Sequence, residues 1–380
     1  MISLAKGRPT FCVIDLEALR WNFHQARKKV GPGVKILSVV KANGYGHGAC
    51  KVARTLENEG SDGFGVATVE EGVELRNRGI KSPILLLGGV WPEQLDELLQ
   101  NNLTPVVSET EILHRIEVLA KKRGIALNFH LKVDTGMGRI GFLASEIDSW
   151  LPELRKLEAL NLQGVLSHFS QAESVEGEYT QGQLGSFRDV VKRLRCEGYH
   201  PPLIHLANSA AVITLPPAYF TMVRPGLMLY GIHPSPRTAC EVGLKPMLSW
   251  KTRIIQLKRV PKGFGISYGQ TFVTQRDSFI ATLPVGYADG YKRLLSNRGS
   301  VLVRGQRAPV VGNVTMDLTM VDVTDIRGVQ QGDDVVLLGH QGEEAIPADE
   351  MAGWARTISY EILTSISVRV PRIHEGEKGE

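Results

Sequence analysis

Val39-Val40-Lys41-Ala42-Asn43-Gly44-Tyr45-Gly46-His47-Gly48 is the stretch from which the fold and the function of this chain are inferred. Residues 35–40 form a nearly continuous apolar run, which is typical of a strand buried on both faces. Lys41 therefore lies at the carboxyl end of a buried strand, where it is half desolvated. Burial disfavours the ammonium form and lowers its pKa, as a lysine that forms an imine requires.

Three glycines, Gly44, Gly46 and Gly48, follow this lysine. They let the backbone turn sharply and approach a ligand, and the helical periodicity of residues 49–56 predicts a helix N-terminus that could receive an anion. For such a lysine on its own, a side chain that reaches solvent beside a Gly-rich turn is the plainer explanation. The other motifs of the chain favour a ligand site.

Strand-like and helix-like segments alternate through the first 224 residues. This alternation implies a parallel sheet, and about eight βα units predict a closed (β/α)8 TIM-type barrel with a site at the carboxyl ends of its strands. A doubly wound open sheet is the rival fold, because alternation does not reveal strand order. The predicted strands are 35–40, 63–67, 83–88, 104–107, 126–133, 161–167, 203–206 and 221–224, and the predicted helices that separate them include 69–78, 92–101, 109–123, 145–158, 182–197 and 208–214.

From about Gly243 the chain consists of short β-branched runs separated by Gly, Pro and Asp, which predicts a mainly β second domain. Two domains also suit a chain of 380 residues. We place them at 1–243 and 244–380, with the option that a first strand at 11–15 packs with the β domain. A helical pattern from Trp354 is expected to lead into a last strand. The predicted β runs are 251–260, 278–285, 300–303, 309–311, 318–323 and 334–338.

The composition excludes several classes of protein. The net charge of +4 is small and no Lys/Arg-rich block with interleaved aromatics occurs, which argues against a nucleic-acid partner. The four cysteines are far apart, without metal-ligand spacing, and are typical of a reducing compartment. No run approaches the length of a membrane span, and residues 1–9 lack the apolar core of a signal peptide. We therefore expect a cytoplasmic protein with neither a metal site nor a membrane partner.

Polar or glycine-rich segments follow several predicted barrel strands. Residues 132–141, Lys-Val-Asp-Thr-Gly-Met-Gly-Arg-Ile-Gly, combine closely spaced glycines with the donor fork of Arg139. His168 ends the next strand, although a single histidine is more often structural. Asn208-Ser209 offers a helix N-cap, which at the rim of a barrel also suits a phosphate. Arg224-Pro225-Gly226-Leu227 follows the eighth strand.

Residues 40–48 closely resemble the pyridoxal-phosphate attachment motif of bacterial alanine racemases, and further matches to this family run as far as Arg372. The resemblance implies a barrel followed by a β domain, and an isomerase that interconverts L- and D-alanine to supply D-alanine for peptidoglycan. It also implies pyridoxal 5'-phosphate as cofactor and a homodimer with shared active sites.

The same resemblance implies a role for each motif residue around the cofactor. Lys41 holds pyridoxal phosphate as an imine, Arg139 bonds its phenolic oxygen, and Arg224, supported by His168, faces the pyridine nitrogen. Because an arginine keeps its proton at neutral pH, Arg224 makes the ring a weaker electron sink than a carboxylate partner would. In some members the lysine that matches Lys132 is carbamylated and holds the arginine. The residues implied at the phosphate are Tyr45, Asn208, Ser209, Gly226, Leu227 and Tyr360.

Racemisation removes a proton from one face of Cα and returns one to the other face, so two bases are needed. The resemblance assigns these roles to Lys41 and to Tyr268, which stands between glycines in the stretch 265–272. It assigns substrate binding to Arg139, to Tyr287 at the entrance, and to the Met316 amide at the carboxylate. Thr315 stands where many members have cysteine. The ending Ile373-His374 also departs from the family, and we expect it to lie away from the site.

Three other functions remain in view. A non-catalytic pyridoxal-phosphate carrier would match only the first 240 residues or so and would lack a counterpart of Tyr268. A basic-amino-acid decarboxylase shares the architecture, but residues 207–209 and 315–317 do not match its Gly-Gly-Gly loop and Cys-Asp pair. A serine or broad-specificity racemase of the same fold shares most of the motifs.

Overall fold

A computed structural model describes residues 7–174 and 176–377 of the chain, so residues 1–6 of the N-terminal stretch discussed above lie outside it. The chain divides into two compact units. The first, here called the β unit, contains the described residues of the segments Met1–Glu17, Tyr45–Gly48 and Pro246–Glu380. The second, the barrel unit, consists of Ala18–Gly44 and the described residues of Ala49–Lys245.

A closed parallel sheet forms the core of the barrel unit, which confirms the predicted fold and excludes the open sheet. The sheet has the order β5-β4-β3-β2-β10-β9-β8-β6, and pairing of β5 with β6 closes it. Inside it Leu37, Leu85, Val106, Leu166 and Met222 pack into one apolar cluster. After β1 (Phe11–Asp15), the strands are β2 (Lys35–Val39), β3 (Gly63–Val66), β4 (Ile84–Leu86), β5 (Thr104–Val107), β6 (Leu127–Asp134), the short β7 (Phe142–Leu143) beside β6, β8 (Leu160–Leu166), β9 (Leu203–His205) and β10 (Met222–Val223).

The helices agree with the periodicity of the sequence to within a few residues at most ends. Where the strands turn into helices, short polar side chains cap them: Thr68 Oγ1 accepts a hydrogen bond from Glu71 N, and Asn208 Oδ1 accepts one from Ala211 N. The helices up to residue 245 are α1 (Leu16–Val30), α2 (Lys41–Tyr45, a single left-handed turn), α3 (Ala49–Asn58), α4 (Val69–Asn77), α5 (Leu95–Gln100), α6 (Thr110–Arg123), α7 (Ile147–Leu154), α8 (Glu178–Cys196), α9 (Ser209–Thr214) and α10 (Pro236–Ala239). None of the described helices is long and apolar enough to cross a membrane.

The β unit contains a large mixed sheet in the order β17-β16-β19-β11-β1-β21, with β20 on β19, a three-stranded sheet β12-β15-β18, and the hairpin β13-β14. In the large sheet β1 runs antiparallel to β11 and parallel to β21. The remaining strands are β11 (Leu248–Arg253), β12 (Gln256–Val260), β13 (Gly265–Ile266), β14 (Phe272–Val273), β15 (Ser278–Leu283), β16 (Ser300–Val303), β17 (Gln306–Pro309), β18 (Thr319–Asp322), β19 (Asp334–Gln341), β20 (Glu344–Ile346) and β21 (Arg372–Glu375).

Three predicted elements of the β unit need correction. The run 251–260 is two strands, because β11 belongs to the large sheet and β12 to the three-stranded sheet. The run at 309–311 begins earlier, since Arg304 (φ 52°) and Gly305 (φ 75°) form a two-residue hairpin turn that pairs β17 with β16. The helical pattern near Trp354 is interrupted at Arg356 (φ 54°) and gives α11 (Ala348–Ala355) and α12 (Ser359–Ser365).

Candidate active site

Lys41 follows β2 and begins a backbone segment of unusual conformation. Ala42, Asn43 and Gly44 have φ values of 53°, 54° and 60°, a left-handed turn that costs a non-glycine residue about 1–2 kcal/mol. The turn is held by a hydrogen bond of 2.8 Å from Gly44 N to Val40 O and one of 2.9 Å from Ala49 N to Asn43 Oδ1. Strain of this kind is concentrated at functional sites.

Glu71 fixes the first residue of this turn. Its Oε1 accepts a hydrogen bond from Ala42 N at 2.6 Å, and its Oε2 accepts one from Ala67 N at 2.7 Å. The pKa of the half-buried Lys41 is lowered by burial and by the Arg139 guanidinium, while Glu71 opposes the shift. The amine is therefore easier to deprotonate than an ordinary surface lysine, as the sequence predicts.

At the end of β6 a second lysine is almost fully buried. Burial, with Arg224 and Arg139 as nearby cations, lowers the pKa of Lys132 to about 7, and only Asp134 opposes the shift. Asp134 also shapes the loop that follows, because its carboxylate accepts hydrogen bonds from the backbone N–H groups of Gly136, Met137 and Arg139 at 2.8–3.2 Å. The loop leaves the Arg139 side chain exposed.

Arg224, after β10, is buried and nearly saturated with acceptors. One terminal nitrogen donates to His205 Nδ1 at 3.0 Å and to His205 O at 2.7 Å. The other donates to Ser167 O at 2.6 Å, to His168 Nδ1 at 3.2 Å and to Leu206 O at 3.2 Å. Within the described chain only the Nε–H of this guanidinium has no acceptor. Burial and the nearby Arg139 lower the pKa of Arg224 to about 9, so it stays protonated at neutral pH.

Because a guanidinium can only donate, it fixes the direction of a chain of hydrogen bonds. His205 Nδ1 must accept from Arg224, so its Nε2 carries the proton and donates to His130 Nδ1 at 2.8 Å. His130 Nε2 then donates to Gln163 Oε1 at 3.2 Å. His168 likewise accepts at Nδ1, which leaves a proton on its Nε2. Burial, followed by the charge of Arg224, holds the pKa of both His168 and His205 well below the ordinary value.

The predicted phosphate residues of the barrel unit lie at the ends of β9 and β10. Ser209 Oγ accepts hydrogen bonds from Gly226 N at 2.9 Å and from Met228 N at 3.3 Å, so it joins the two strand ends. No hydrogen bond within the described chain occupies the N–H of Leu227. Asn208 uses its Oδ1 to cap α9, so its Nδ2 group is the part that could reach a phosphate.

In the β unit Tyr268 stands on an exposed turn, with 76% of its surface accessible. Ser267 and Gly269 on either side have φ values of 63° and 70°. The turn is not loose, because Ser267 Oγ donates to Asn313 O at 2.6 Å and Asn313 Nδ2 donates to Tyr268 O at 2.8 Å. A Cβ on Gly312 would lie 2.7 Å from Ile266 O, so the segment before Asn313 can approach the segment before Tyr268 this closely only because residue 312 is glycine.

Met316 and Tyr287, the two predicted substrate residues of the β unit, lie on adjoining segments. Tyr287 N donates to Thr315 O, and Ala288 N donates to Met316 O, both at 3.0 Å. A Cβ on Gly286 would lie 2.3 Å from Thr315 O, so the contact requires glycine. Met316 and Tyr287 are 54% and 43% exposed.

Tyr45 and Tyr360 also lie in the β unit, with ring centroids 5.9 Å apart. The segment 45–48 is fixed by Arg372, whose Nε donates to Gly46 O at 3.1 Å, and by a hydrogen bond of 2.9 Å between His374 Nε2 and His47 O. The ending Ile373-His374 is expected from the sequence to lie away from the site, and its contact is with the backbone of His47, which is not among the predicted site residues. The His374 ring occupies the space beside Gly48, where a Cβ would lie 2.9 Å from Nε2.

The family follows from comparison with known proteins. The family model described as "Alanine racemase, N-terminal domain" matches residues 14–234, and the one described as "Alanine racemase, C-terminal domain" matches residues 247–374. An alanine racemase of Halothermothrix orenii is 47% identical over 372 residues, which are 98% of this chain and 98% of that protein. The chain belongs to the alanine racemase family.

Solved alanine racemases have the same fold. The structure from Clostridium difficile 630 aligns with a TM-score of 0.91 at 37% identity, over 97% of this chain and 96% of that one. The structure from Bartonella henselae, which is described as having covalently bound pyridoxal phosphate, aligns with a TM-score of 0.87 at 30% identity, over 97% of this chain and all 100% of that one.

The structure brings the predicted residues of this alanine racemase homologue into two sets. In the barrel unit Lys41, Arg139, His168 and Arg224 are close enough for their charges to affect one another's pKa values. In the β unit the Tyr268, Tyr287 and Met316 segments are joined by hydrogen bonds and close packing. Among the described residues no group of His, Cys, Asp or Glu could hold a metal ion.

Sequence reasoning missed Glu71, His130 and His205. His130 and Lys132 are two residues apart on β6 and therefore face the same side of the strand, a signal that could have shown His130. Glu71 occupies the fourth position of Thr68-Val-Glu-Glu, an ordinary capping pattern. Nothing in that pattern points to Ala42.

The buried His130 predicts a measurable pH dependence of stability. Burial and Arg224 lower the pKa of His130 to about 4 from 6.5, and the bond to Gln163 only partly opposes this. At pH values between about 4 and 6.5 this histidine is therefore protonated in the unfolded chain and neutral in the folded chain. The free energy of unfolding is highest above pH 6.5 and decreases as the pH falls towards 4. Between pH 7 and pH 5 the free energy of unfolding, measured with urea, should fall by about 2 kcal/mol less in His130→Asn than in the wild type. His340→Gln controls for removal of an exposed histidine, and equal slopes for His130→Asn and wild type would contradict the prediction.

Proposed function

We propose that this chain interconverts L- and D-alanine with pyridoxal phosphate held on Lys41, and so supplies D-alanine for peptidoglycan. The observation that carries the proposal is the half-buried Lys41 amine, which has a lowered pKa and lies in the field of Arg139 at the end of a barrel strand. The alanine racemase family match over both domains supports the same reaction. A cytoplasmic location also remains a proposal.

The residues present fit pyridoxal phosphate. Arg224 has one N–H without an acceptor in the described chain, and a pyridine nitrogen is an acceptor of the required kind. The Leu227 N–H, the Asn208 amide and the Ser209 hydroxyl lie at neighbouring strand ends and suit a phosphate. Tyr45 and Tyr360 are proposed at the same phosphate, and Arg139 at the phenolic oxygen. The relative from Bartonella henselae is described as carrying this cofactor covalently.

When bound, pyridoxal phosphate withdraws electrons from Cα of the amino acid and so makes its proton removable. The chain's own residues decide where that proton goes. Lys41 removes or returns the proton on the face that is reactive in D-alanine, because its lowered pKa makes a neutral amine accessible. Tyr268 acts on the opposite face, from a turn whose backbone is fixed by Ser267 and Asn313. Arg224 keeps its proton and limits charge delocalisation into the ring, which disfavours side reactions.

The substrate is held by its carboxylate. The Met316 N–H and the exposed Arg139 guanidinium are the donors proposed for it, and Tyr287 is proposed to line the entrance. Membership of the family supports alanine as the substrate rather than a larger amino acid. The alternatives are a serine racemase and a broad-specificity racemase, and an assay with several amino acids distinguishes them.

We infer further that the active form is a homodimer with shared sites. The β unit exposes Tyr268, Met316 and Tyr287, although these segments are rigidly built. Groups that contacted only water would not need to be held rigidly. A rigid and exposed set of groups is therefore better explained if it completes the active site of a second chain. Two-fold symmetry would then complete both sites at once.

The proposed function is tested by assaying the purified protein with L-alanine, L-serine and L-lysine and following the D-enantiomers. D-alanine should form fastest, and the rate should depend on pyridoxal phosphate. Conversion of serine or lysine at a higher rate would assign a different substrate. No conversion of any of them by cofactor-loaded protein would refute a racemase.

The two-base assignment predicts an asymmetric effect of Tyr268→Phe. The variant keeps the ring and deletes the ionisable oxygen, so racemisation should fall by about 10²–10⁴-fold, the usual contribution of a general base. In deuterium oxide, exchange of the α-hydrogen of D-alanine should persist, because Lys41 serves that face, while exchange of L-alanine collapses. Tyr199→Phe is the matched control for loss of a tyrosine hydroxyl. Equal loss of both exchange rates with cofactor still bound would count against separate bases.

The shared-site dimer predicts complementation between inactive variants. Lys41→Ala and Tyr268→Ala subunits should each be inactive alone. After subunit exchange, hybrid dimers carry one intact site, and the mixture should recover up to about a quarter of the wild-type rate. Light scattering and a tagged subunit would verify that hybrids form. Verified hybrids without activity would show that each chain completes its own site.

A further inference from the structure

Thr315 closes the turn that carries Met316. Its hydroxyl donates to Leu318 O at 2.9 Å and accepts from Leu318 N at 3.1 Å. The Thr315 N–H donates to the same Leu318 carbonyl at 2.9 Å. Three hydrogen bonds therefore join residue 315 to residue 318, and two of them depend on the hydroxyl.

The first two carbonyl groups of this turn accept hydrogen bonds from a neighbouring segment. Tyr287 N and Ala288 N occupy the carbonyl oxygens of Thr315 and Met316, each at 3.0 Å. At the next residue Asp317 Oδ1 accepts from the Arg369 guanidinium at 2.7 Å. These contacts fix the peptide planes on either side of Met316.

Within the described chain the Met316 N–H has no hydrogen-bond acceptor, although the groups around it are paired. Met316 is 54% exposed, so this part of the turn is accessible. A backbone donor without an acceptor, held between fixed peptide planes, is suited to binding an anion without reorganisation. The hydroxyl of Thr315 closes the same turn through Leu318 and so adds to the contacts that hold this donor.

We propose that Thr315 is a positioning residue, whose hydroxyl orients the Met316 N–H towards the substrate carboxylate. This inference rests on the proposed function. A threonine hydroxyl is one strong donor and a good acceptor, so it can make both bonds of the turn. A cysteine thiol donates and accepts only weakly, so it would replace these bonds only in part. The turn in this chain is therefore more rigid than a cysteine would make it.

The expected effect follows from the group that is bound. L- and D-alanine carry the same carboxylate, so loss of the hydroxyl should raise the KM for both enantiomers by the same factor. A neutral hydrogen bond is worth about 1 kcal/mol, which corresponds to a change of about three- to tenfold. The kcat should change less, because neither Lys41 nor Tyr268 contacts this turn through the Thr315 hydroxyl.

The test compares three substitutions at Thr315 in the holoenzyme. Thr315→Val keeps the branched shape and deletes the hydroxyl, so KM for L- and D-alanine and the inhibition constant of propionate should all rise by about three- to tenfold. Thr315→Ser should restore values near those of wild type, and Thr315→Cys should lie between. Thr324→Val is the matched control, because the Thr324 hydroxyl also makes two hydrogen bonds, to Phe279 N and Asp322 Oδ1, in the loop after β18.

Hydrogen exchange of the peptide 313–318 gives a readout independent of turnover. In Thr315→Val the Leu318 N–H loses its acceptor and should exchange faster, while propionate should protect the Met316 N–H less than in wild type. Unchanged exchange and unchanged propionate affinity in Thr315→Val would overturn the proposal, as would KM changes that differ between the enantiomers. A wild-type protein that binds propionate at Met316 but does not racemise alanine would refute the proposed function and leave the role of Thr315 supported.

Discussion

The buried Arg224 guanidinium is the interaction on which the barrel end of the site depends. A guanidinium can only donate, so every group that faces it must accept. This requirement keeps His205 and His168 neutral and places their protons on the nitrogens that point away from the arginine. The orientation continues through His130 to Gln163. Burial and this one charge together lower the pKa values of the three histidines, and the charge decides which ring nitrogen of each carries the proton.

Burial first, and nearby guanidinium groups second, lower the pKa values of two lysines at the strand ends. Arg224 and Arg139 are both cations beside Lys132, and Arg139 also acts on Lys41. Glu71 and Asp134 oppose these shifts, but both use their oxygens on backbone N–H groups of the adjoining turns. The carboxylates therefore shape the loops more than they neutralise the site. The two guanidinium groups at the strand ends suit a ligand that carries a phosphate and a carboxylate.

The sequence predicted the elements that local pattern determines, namely the buried strand before Lys41, the βα alternation and the glycine-rich turns. The closure of the barrel was predicted from the number of units alone, and the pairing of β5 with β6 confirms it. The contacts of His130 with His205 and of His374 with His47 could not be predicted, because the two partners are separated by 75 positions in the first pair and by 327 in the second. No periodicity encodes which distant strand or terminus will supply an acceptor. The roles of the predicted site residues remain proposals.

The exposed segments of the β unit are fixed in position by different interactions from those at the barrel end of the site. Tyr268, Tyr287 and Met316 are exposed, although Ile266, Val285 and Val314 beside them are buried, and hydrogen bonds to backbone groups hold their segments together. Gly286 and Gly312 allow carbonyl groups to approach within distances that a Cβ would prevent, and the bonds of Asn313 and Thr315 lock the turns that result. A surface built in this way keeps its shape without a ligand. A phenol and a backbone donor on such a surface can therefore bind a partner group with little ordering cost at the moment of binding.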